Sequence, residues 1–187
     1  AERSPVISPN GKLIAFNQEE RRPLAYTPDQ IAIMDLNGNN IRLLTEDLDG
    51  DANNLHWAND SKSIFFAYDE RGIRKIGQVT TNGELKEITK GLGGTTLGRP
   101  YLSGGFHLAN NTIAYTHGTS ERPANVAVIN EEEVQILTAL NDDLLSHRKL
   151  GTVNEIAYKS SFDNQEIQGW YITPPNFDPL KKYPLIL

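Results

Sequence analysis

The chain has 187 residues with a formal net charge of −6, 38% hydrophobic residues and 22% charged residues, which is typical of a globular protein rather than a disordered one. It contains no Lys/Arg cluster long enough to form a phosphate-binding stripe and no apolar run near the ~20 residues that a membrane helix needs, so neither nucleic acid nor a membrane is expected as a partner. The absence of cysteine excludes disulfides, thiolate zinc sites and a cysteine nucleophile.

The same strand pattern occurs three times, at spacings of 50 and 49 residues. In each copy a polar Asn/Asp turn is followed by a short apolar strand; these strands are Ile14-Ala15-Phe16, Ile64-Phe65-Phe66 and Ile113-Ala114-Tyr115. A period of forty to fifty residues with several short strands in each copy is typical of the blades of a β-propeller.

Each copy continues with a predicted hairpin that ends on a Leu/Ile-Thr pair. The two hairpin strands are predicted at 30–36 and 41–45, at 75–80 and 85–89, and at 125–129 and 134–138. Asn37-Gly38 and Asn82-Gly83 indicate tight turns, because both residue types tolerate positive φ. The third turn is predicted at Asn130-Glu131-Glu132.

The repeat ends near residue 150. A short helix is predicted over Asp142–Lys149, where acidic residues come first and basic residues last, although an irregular connector fits this segment equally well. Strands are predicted at 155–160 and 167–172. Residues 181–187 are expected to begin a continuous apolar strand of a buried parallel sheet. Because the chain ends within that strand, we expect it to be a fragment of a longer protein.

These segments resemble the prolyl oligopeptidase family of serine peptidases, in its acylaminoacyl-peptidase and dipeptidyl-peptidase-like branches. The blade motif of that family is similar to residues 8–16 and 57–66, and residues 108–115 form a degenerate third copy. TolB-like propellers share this motif. The tail is more specific, because Gly169-Trp170, Pro174-Pro175 and the segment 181–187 resemble the passage of the family from its propeller into its α/β-hydrolase domain.

The resemblance implies an all-β chain: a partial β-propeller of about three four-stranded antiparallel blades, followed by the first strands of a truncated α/β-hydrolase domain. The propeller is expected over residues 1–149, with blades at about 1–46, 53–90 and 99–139, and the linker with the hydrolase strands over 150–187. The nucleophile of the family lies on a Gly-x-Ser-x-Gly elbow, and this sequence contains none. No catalytic residue is therefore assigned, and the substrate-binding residues stay unknown.

Two groups of residues suggest metal binding at first sight. Asp47–Asn54 places acidic side chains at alternate positions, but its glycine is the fourth residue and not the sixth as in an EF-hand, so a solvated loop between blades is the preferred interpretation. The histidines are His56, His107, His117 and His147, and none of them has zinc-site spacing, although His107 and His117 flank one strand and could approach each other. We expect no metal and no cofactor.

For the remaining candidate functional residues, a structural role is the preferred interpretation. Glu19-Glu20-Arg21-Arg22 lies in the first hairpin of the first blade. In dipeptidyl peptidases a paired-Glu motif on the propeller binds the free amine of the substrate. The residues that flank Glu19–Arg22 do not match that motif, so a solvated loop is the preferred interpretation. Glu131–Glu133 is expected to face solvent, and Gly91–Gly94 lacks the lysine of a phosphate loop. Core packing is expected of the strand aromatics Trp57, Phe65, Phe66, Tyr115, Tyr158 and Trp170.

The resemblance implies that the longer protein is a serine-type peptidase that hydrolyses short peptides, and that these residues are its non-catalytic, gating propeller. The alternative is a TolB-like propeller that acts as a protein-binding module. Three blades do not close a ring and leave apolar faces exposed, so we expect this chain to associate with itself. No signal peptide is expected within the sequence, and the compartment, cytoplasmic or periplasmic, stays open.

Overall fold

The computed structural model describes residues 1–19, 26–94, 103–130 and 133–186. The chain divides into two compact units, Ala1–Leu140 and Asn141–Leu187. The first unit consists of twelve described strands in three antiparallel sheets, and the second contains a short helix and a two-stranded hairpin.

The three sheets of the first unit have four strands each, arranged in chain order from one edge to the other. The first sheet contains β1 (Glu2–Ile7), β2 (Leu13–Glu19), β3 (Asp29–Asp35) and β4 (Arg42–Leu43). The second contains β5 (Asn53–Trp57), β6 (Ser63–Glu70), β7 (Ile73–Thr80) and β8 (Leu85–Lys90). The third contains β9 (Phe106–Ala109), β10 (Thr112–His117), β11 (Asn125–Asn130) and β12 (Glu133–Ile136).

The inner strand β6 of the second sheet shows how the three sheets pack against one another. Ile64, Phe66 and Tyr68 of β6 belong to a core cluster that includes Ile31 and Ile33 of the first sheet. Ala67, on the opposite face of β6, belongs to a second cluster together with Tyr115 and Ile129 of the third sheet. Because side chains alternate along a strand, the second sheet is packed on both faces.

The turns that contain Asn-Gly differ from a two-residue hairpin. Asp35 N–H donates to Asn39 O, and Gly38, with φ 79°, is the residue in the left-handed conformation. Thr80 and Gly83 repeat this arrangement, with φ 91° at the glycine. Within the loops 36–38 and 81–83 only the glycine uses a positive φ, as in a three-residue loop that ends in a bulge, and Asn40, just beyond the first loop, has φ 57°.

The second unit contains α1 (Asp142–Leu145), β13 (Thr152–Lys159) and β14 (Glu166–Thr173). The predicted helix over Asp142–Lys149 is wrong in extent, because only its first four residues are helical. The N-cap residue, Asn141, makes no side-chain capping bond. The predicted hairpin forms, with Thr152 paired to Thr173 and Lys159 to Glu166.

The strand predicted at residues 181–187 does not form over 181–186, and residue 187 lies outside the described part. A buried parallel strand needs hydrogen-bonding neighbours on both sides, and the second unit contains only one antiparallel pair. Leu185 and Ile186 are accordingly 81% and 91% exposed. Within the described ranges, no helix has the length and hydrophobicity to cross a membrane.

Candidate functional site

The first strands of the three sheets lie side by side, β1 against β5 and β5 against β9. We call these three strands the first-strand edge. Polar side chains are placed along it by two strand irregularities. The pairing of β1 shifts between Arg3 and Val6, and that of β5 shifts between Asn53 and His56. These are β-bulges, which bend a strand and redirect its side chains.

Arg3 anchors the first-strand edge at the end of the first sheet. Its guanidinium donates to Asp29 Oδ1 at 2.6 Å and to Glu19 Oε2 at 3.1 Å. The hydrogen bond to Asp29, followed by the charge of that carboxylate, raises the pKa of Arg3. The hydroxyl of Thr27 donates to the second oxygen of Glu19, so this carboxylate is already hydrogen-bonded on both sides.

Arg74 occupies the corresponding end of the second sheet. Its Nη1 donates to Asp69 Oδ1 at 2.9 Å, and its Nη2 donates to Asn53 Oδ1 at 2.5 Å. The side chain is only 13% exposed. Its Nε is the one buried side-chain polar atom among the described residues that has no hydrogen-bond partner. A buried cation of this kind is held by its carboxylate, and removal of the carboxylate would be costly.

The acidic loop Asp47–Asn54 connects the first sheet to the second. Asp51 Oδ1 accepts from the backbone N–H of Asp29, and Ala52 O accepts from Asn17 Nδ2. A Cβ on Gly50 would lie 2.2 Å from the backbone oxygen of Asp69. The glycine therefore allows the loop to pass close to the β6–β7 hairpin, which is a structural role.

Two of the histidines meet on the first-strand edge. The rings of His56 and His107 are 5.1 Å apart in an edge-to-face arrangement, and His56 Nε2 lies 3.2 Å from Asn54 Oδ1. Burial, and then the neighbouring His107, lower the pKa of His56. Asn54 Nδ2 also donates to Phe106 O, which joins the second sheet to the third.

His117 Nδ1 is 3.3 Å from the Tyr115 hydroxyl, and His147 lies in the second unit. The suggested approach of His107 to His117 is replaced by the contact between His107 and His56. No group of three or more His, Asp or Glu side chains that could hold a metal ion occurs within the described ranges.

An open cleft of about 620 Å³ lies between the second and third sheets. Its lining combines apolar side chains with amide groups, among them Phe65, Ile113, Ile129, Gln78, Asn110 and Asn130. Lys86 and Glu87 also line the cleft, and none of the described lining residues is a serine, cysteine or histidine, so this lining lacks a Ser-His or Cys-His pair.

The chain is similar to curated proteins over nearly its whole length. No protein-family profile matches the chain. It is 26% identical over 186 residues to dipeptidyl-peptidase 5 of Porphyromonas gingivalis, and the match covers 98% of this chain and 26% of that protein. Dipeptidyl-peptidase 5 of Aspergillus fumigatus is matched in the same way, at 26% identity over 98% of the chain and 25% of the relative. The chain thus spans about a quarter of the length of these curated relatives.

Solved structures share the fold at lower identity. The acylaminoacyl peptidase of Pyrococcus horikoshii superposes with a TM-score of 0.69 at 23% identity, over 91% of this chain and 25% of that chain. The β-propeller domain of the Trilobed protease from Pyrococcus furiosus gives a TM-score of 0.55 at 20% identity, over 75% and 38%. TolB from Acinetobacter baumannii gives 0.54 at 17% identity, over 94% and 44%.

The resemblance to the prolyl oligopeptidase family is confirmed. The first unit is a partial β-propeller, its sheets are blades, and the chain is all-β apart from one four-residue helix. The domain division of this chain between residues 149 and 150, and the hydrolase assignment of residues 150–187, stay predictions.

The segment Glu19-Glu20-Arg21-Arg22 is of interest because the relatives named above are dipeptidyl peptidases. Residues 20–22 lie outside the described residues, as do Glu131 and Glu132 of the third blade. The two carboxylate oxygens of Glu19 already accept hydrogen bonds from Arg3 and Thr27. Glu19 is therefore not free to bind the amine of a substrate. Gly91–Gly94 is a connection between blades in which Leu92 pairs with His117.

The expected core packing of the aromatics is right in the propeller and wrong in the hairpin. Trp57, Phe66 and Tyr115 are buried, whereas Tyr158 and Trp170 are 54% and 47% exposed. The physical reason is that the second unit contains a single pair of strands and so has no second layer of its own.

Sequence reasoning missed the two arginine clusters and the bulges that position them. A signal was present in the repeat itself. Arg3-Ser4 and Asn53-Asn54 stand at equivalent places before Ile7 and Trp57, and Ser4 and Asn54 have φ of 53° and 56°. A polar pair whose second residue takes a positive φ at the same place in two copies is typical of a bulge.

Proposed function

We propose that these residues form a non-catalytic part of the propeller of a serine-type peptidase that hydrolyses short peptides, and that the propeller restricts access of substrate to a catalytic domain. The observation that carries the proposal is the continuous match to dipeptidyl-peptidase 5 over 98% of the chain. The absence of a Gly-x-Ser-x-Gly segment from the sequence supports the non-catalytic part of the proposal.

The first-strand edge supports the gating role. Two hydrogen bonds join this edge from blade to blade. Trp57 Nε1 donates to Val6 O at 3.0 Å, and Asn54 Nδ2 donates to Phe106 O at 3.0 Å. Such bonds keep neighbouring first strands together and limit how far the blades separate. The proposal is that a propeller whose first strands are held together in this way admits an extended peptide and excludes a folded protein.

Peptide substrate is the partner that the proposal assigns to the longer protein, with no nucleic acid and no membrane. The net charge of −6 and the pairing of Arg3 and Arg74 with carboxylates support this assignment, because phosphate binding needs cationic side chains that are accessible. We also propose that the isolated chain associates with itself, because three blades do not close a ring; a monodisperse monomer by light scattering at tens of micromolar would contradict this.

The direct test assays the purified chain on chromogenic aminoacyl and acylaminoacyl substrates. We expect no turnover and no labelling by an active-site-directed serine hydrolase probe. Turnover together with labelling of the chain itself would contradict the non-catalytic assignment. Sequencing the encoding gene beyond residue 187 tests the peptidase assignment, which requires a His-Gly-Gly and a Gly-x-Ser-x-Gly segment downstream.

Gating is tested in the full-length protein with Asn54→Ala, which removes the bond between the second and third blades. We expect hydrolysis of a long unfolded peptide to increase relative to hydrolysis of a dipeptidyl substrate. Asn39→Ala, in an exposed turn, is the matched control. An unchanged ratio in both variants would argue against gating at this edge.

The second candidate function is a TolB-like propeller that binds a protein partner. The superposition on TolB over 94% of the chain favours it. Absence of both downstream segments from the gene would support this candidate and would overturn the peptidase assignment.

A further inference from the structure

The contacts between neighbouring blades differ in the residues that hold them. We call the contact of the first blade with the second the first seam, and that of the second blade with the third the second seam. At the first seam Trp57 Nε1 donates to Val6 O at 3.0 Å, and the backbone N–H of Asn10 donates to Ser61 Oγ at 3.1 Å. Neither bond involves a group that titrates between about pH 5 and about pH 8.

The second seam is held in another way. Leu108 stands where the second blade has Trp57, and leucine has no side-chain N–H to donate. The bond between the blades is instead the one from Asn54 Nδ2 to Phe106 O at 3.0 Å. The open cleft at this seam has a volume of about 620 Å³, whereas a cleft at the first seam has about 290 Å³. The second seam is therefore the less closely packed of the two.

A histidine from each blade meets at the second seam. The ring centroids of His56 and His107 are 5.1 Å apart, and the centroid of His56 is 5.0 Å from that of Phe106. Because Asn54 donates through Nδ2 to Phe106 O, its Oδ1 is the atom that accepts from His56 Nε2 at 3.2 Å. Neutral His56 therefore carries its proton on Nε2, and a second proton would bind to Nδ1.

The neighbouring strands bring no opposite charge that acts on His56 within the described ranges. β5 packs against β1, β2, β6 and β9, and β9 also pairs with β10. Besides the pair itself, the titratable side chains on these strands are Glu2, Arg3, Glu19, Tyr68, Asp69, Glu70, Tyr115 and His117. None of them is among the causes that set the pKa of His56. Those causes are burial and then His107, which lower the pKa, and a hydrogen bond with the Phe106 backbone, which raises it.

We propose that the second seam is an acid-sensitive joint: when His56 and His107 both carry a proton, their repulsion loosens the contact between the second and third blades while the first seam stays closed. This inference does not depend on the proposed peptidase function. It is selected by two independent observations, the ring contact across the seam and the absence of any histidine from the bonds described at the first seam.

The size of the effect follows from the distance between the rings. Two unit charges 5.1 Å apart repel, even at the dielectric constant of water, by an amount that corresponds to about a fourfold change in an equilibrium constant. Burial of His56 adds to this because it disfavours the charged form. The neutral pair therefore stabilises the closed seam above the ordinary pKa of histidine, and this stabilisation is lost as the pH falls through the lowered pKa of His56.

Hydrogen exchange followed by mass spectrometry tests the joint on the full 187-residue chain. The chain is compared at about pH 7.5 and about pH 5, at one protein concentration, after correction for the intrinsic effect of pH on exchange. The amides of β9 and β10 should lose protection at least about fourfold more than the amides of β2, which lies in the first blade. An equal change in β2 and in the third blade would overturn the proposal.

Glutamine variants show whether the histidines cause the change. His56→Gln keeps a donor for Asn54 Oδ1 but cannot be charged, so this variant and the double variant with His107→Gln should lose the acid effect. His107→Gln alone should keep only the part that comes from burial of His56. His117→Gln is the matched control, because it removes the other histidine of the third blade, and it should show the full effect. An effect as large in the double variant as in the control would contradict the proposal.

A nuclear magnetic resonance titration of the ring C–H signals tests the coupling without relying on exchange. Because His107 lowers the pKa of His56, His107→Gln should raise that pKa toward the ordinary 6.5. His117→Gln should leave it unchanged. Circular dichroism shows whether each variant is folded. A pKa of His56 that does not move in folded His107→Gln would show that the two rings do not repel each other, and the proposal would fail.

Discussion

Gly77 offers a test of how tightly the first two blades pack. It stands opposite Phe66 in the second blade, at the place where Ala32 and Ala127 stand in the first and third blades. A Cβ on Gly77 would lie 3.0 Å from Phe66 Cζ, 3.0 Å from Tyr68 Cε1 and 3.2 Å from Phe66 Cε1. Carbon atoms are most favourably ~3.5–4.0 Å apart, so both rings must shift to admit a methyl group.

The magnitude follows from how little those rings can move. Phe66 is 0% and Tyr68 3% exposed, and both belong to the cluster that fills the interface with the first blade. Overpacking of such a core costs about 1–3 kcal/mol, and replacing a strand glycine by alanine returns roughly 0.5–1 kcal/mol. The difference between these two contributions is centred near 1 kcal/mol, so we expect Gly77→Ala to lower the free energy of unfolding by about 1 kcal/mol and by no more than about 2.5 kcal/mol.

Urea unfolding monitored by tryptophan fluorescence measures this effect, because Trp57 is 8% exposed and lies in the same cluster. Gly105→Ala is the matched control, since nothing lies within 4 Å of its added Cβ. All samples are compared at one protein concentration because association would change apparent stability. If Gly77→Ala is as stable as Gly105→Ala, the rings are not fixed as described and the reasoning fails.

Two further predictions concern the loop end and the histidine pair. Gly50→Ala should destabilise the chain at least as much as Gly77→Ala, by about 2–3 kcal/mol, because its Cβ meets the backbone oxygen of Asp69 and not a movable side chain; unchanged urea unfolding would contradict this. The pKa of His56 is lowered from its ordinary 6.5 by burial and by His107, so its neutral form stabilises the folded chain above that value, and this stability is lost as the pH falls through the lowered pKa. His56→Gln should therefore reduce the fall in melting temperature between about pH 7.5 and about pH 5, and an unchanged fall would show that His56 does not contribute.

The repeat allows most of the propeller to be predicted from the sequence. Alternation places Ile64 and Phe66 on one face and Phe65 on the other, and the structure packs them against different blades. Turn positions are also predictable from glycine, since Gly38 and Gly83 take the positive φ that their turns require. The type of turn cannot be predicted in the same way. It depends on Asp35 and Thr80, whose side-chain oxygens accept hydrogen bonds from the backbone N–H groups that follow.

The residues of the first-strand edge could not be assigned from the sequence because their roles depend on contacts between elements far apart in the chain. Arg74 meets Asn53 only after β5 and β7 join the same sheet. His56 meets His107 across two blades; their separation is close to the spacing of the repeat, which puts them at similar places in neighbouring blades but does not predict that the two rings contact each other. A strand also needs neighbours to form, and for that reason the apolar residues 181–186 are not a strand despite a pattern that favours one.

The degenerate third copy shows which part of the repeat is under physical constraint. Its turn shortens to Asn110-Asn111, with φ of 46° and 63°, and so loses the Ser-Pro-Asn-Gly-Lys type of sequence. Ile113 and Tyr115 nevertheless keep their places opposite Ile129 and Ala127. A turn need only reverse the chain, and several sequences do so, whereas a face that docks on another blade must fit the side chains of its neighbour.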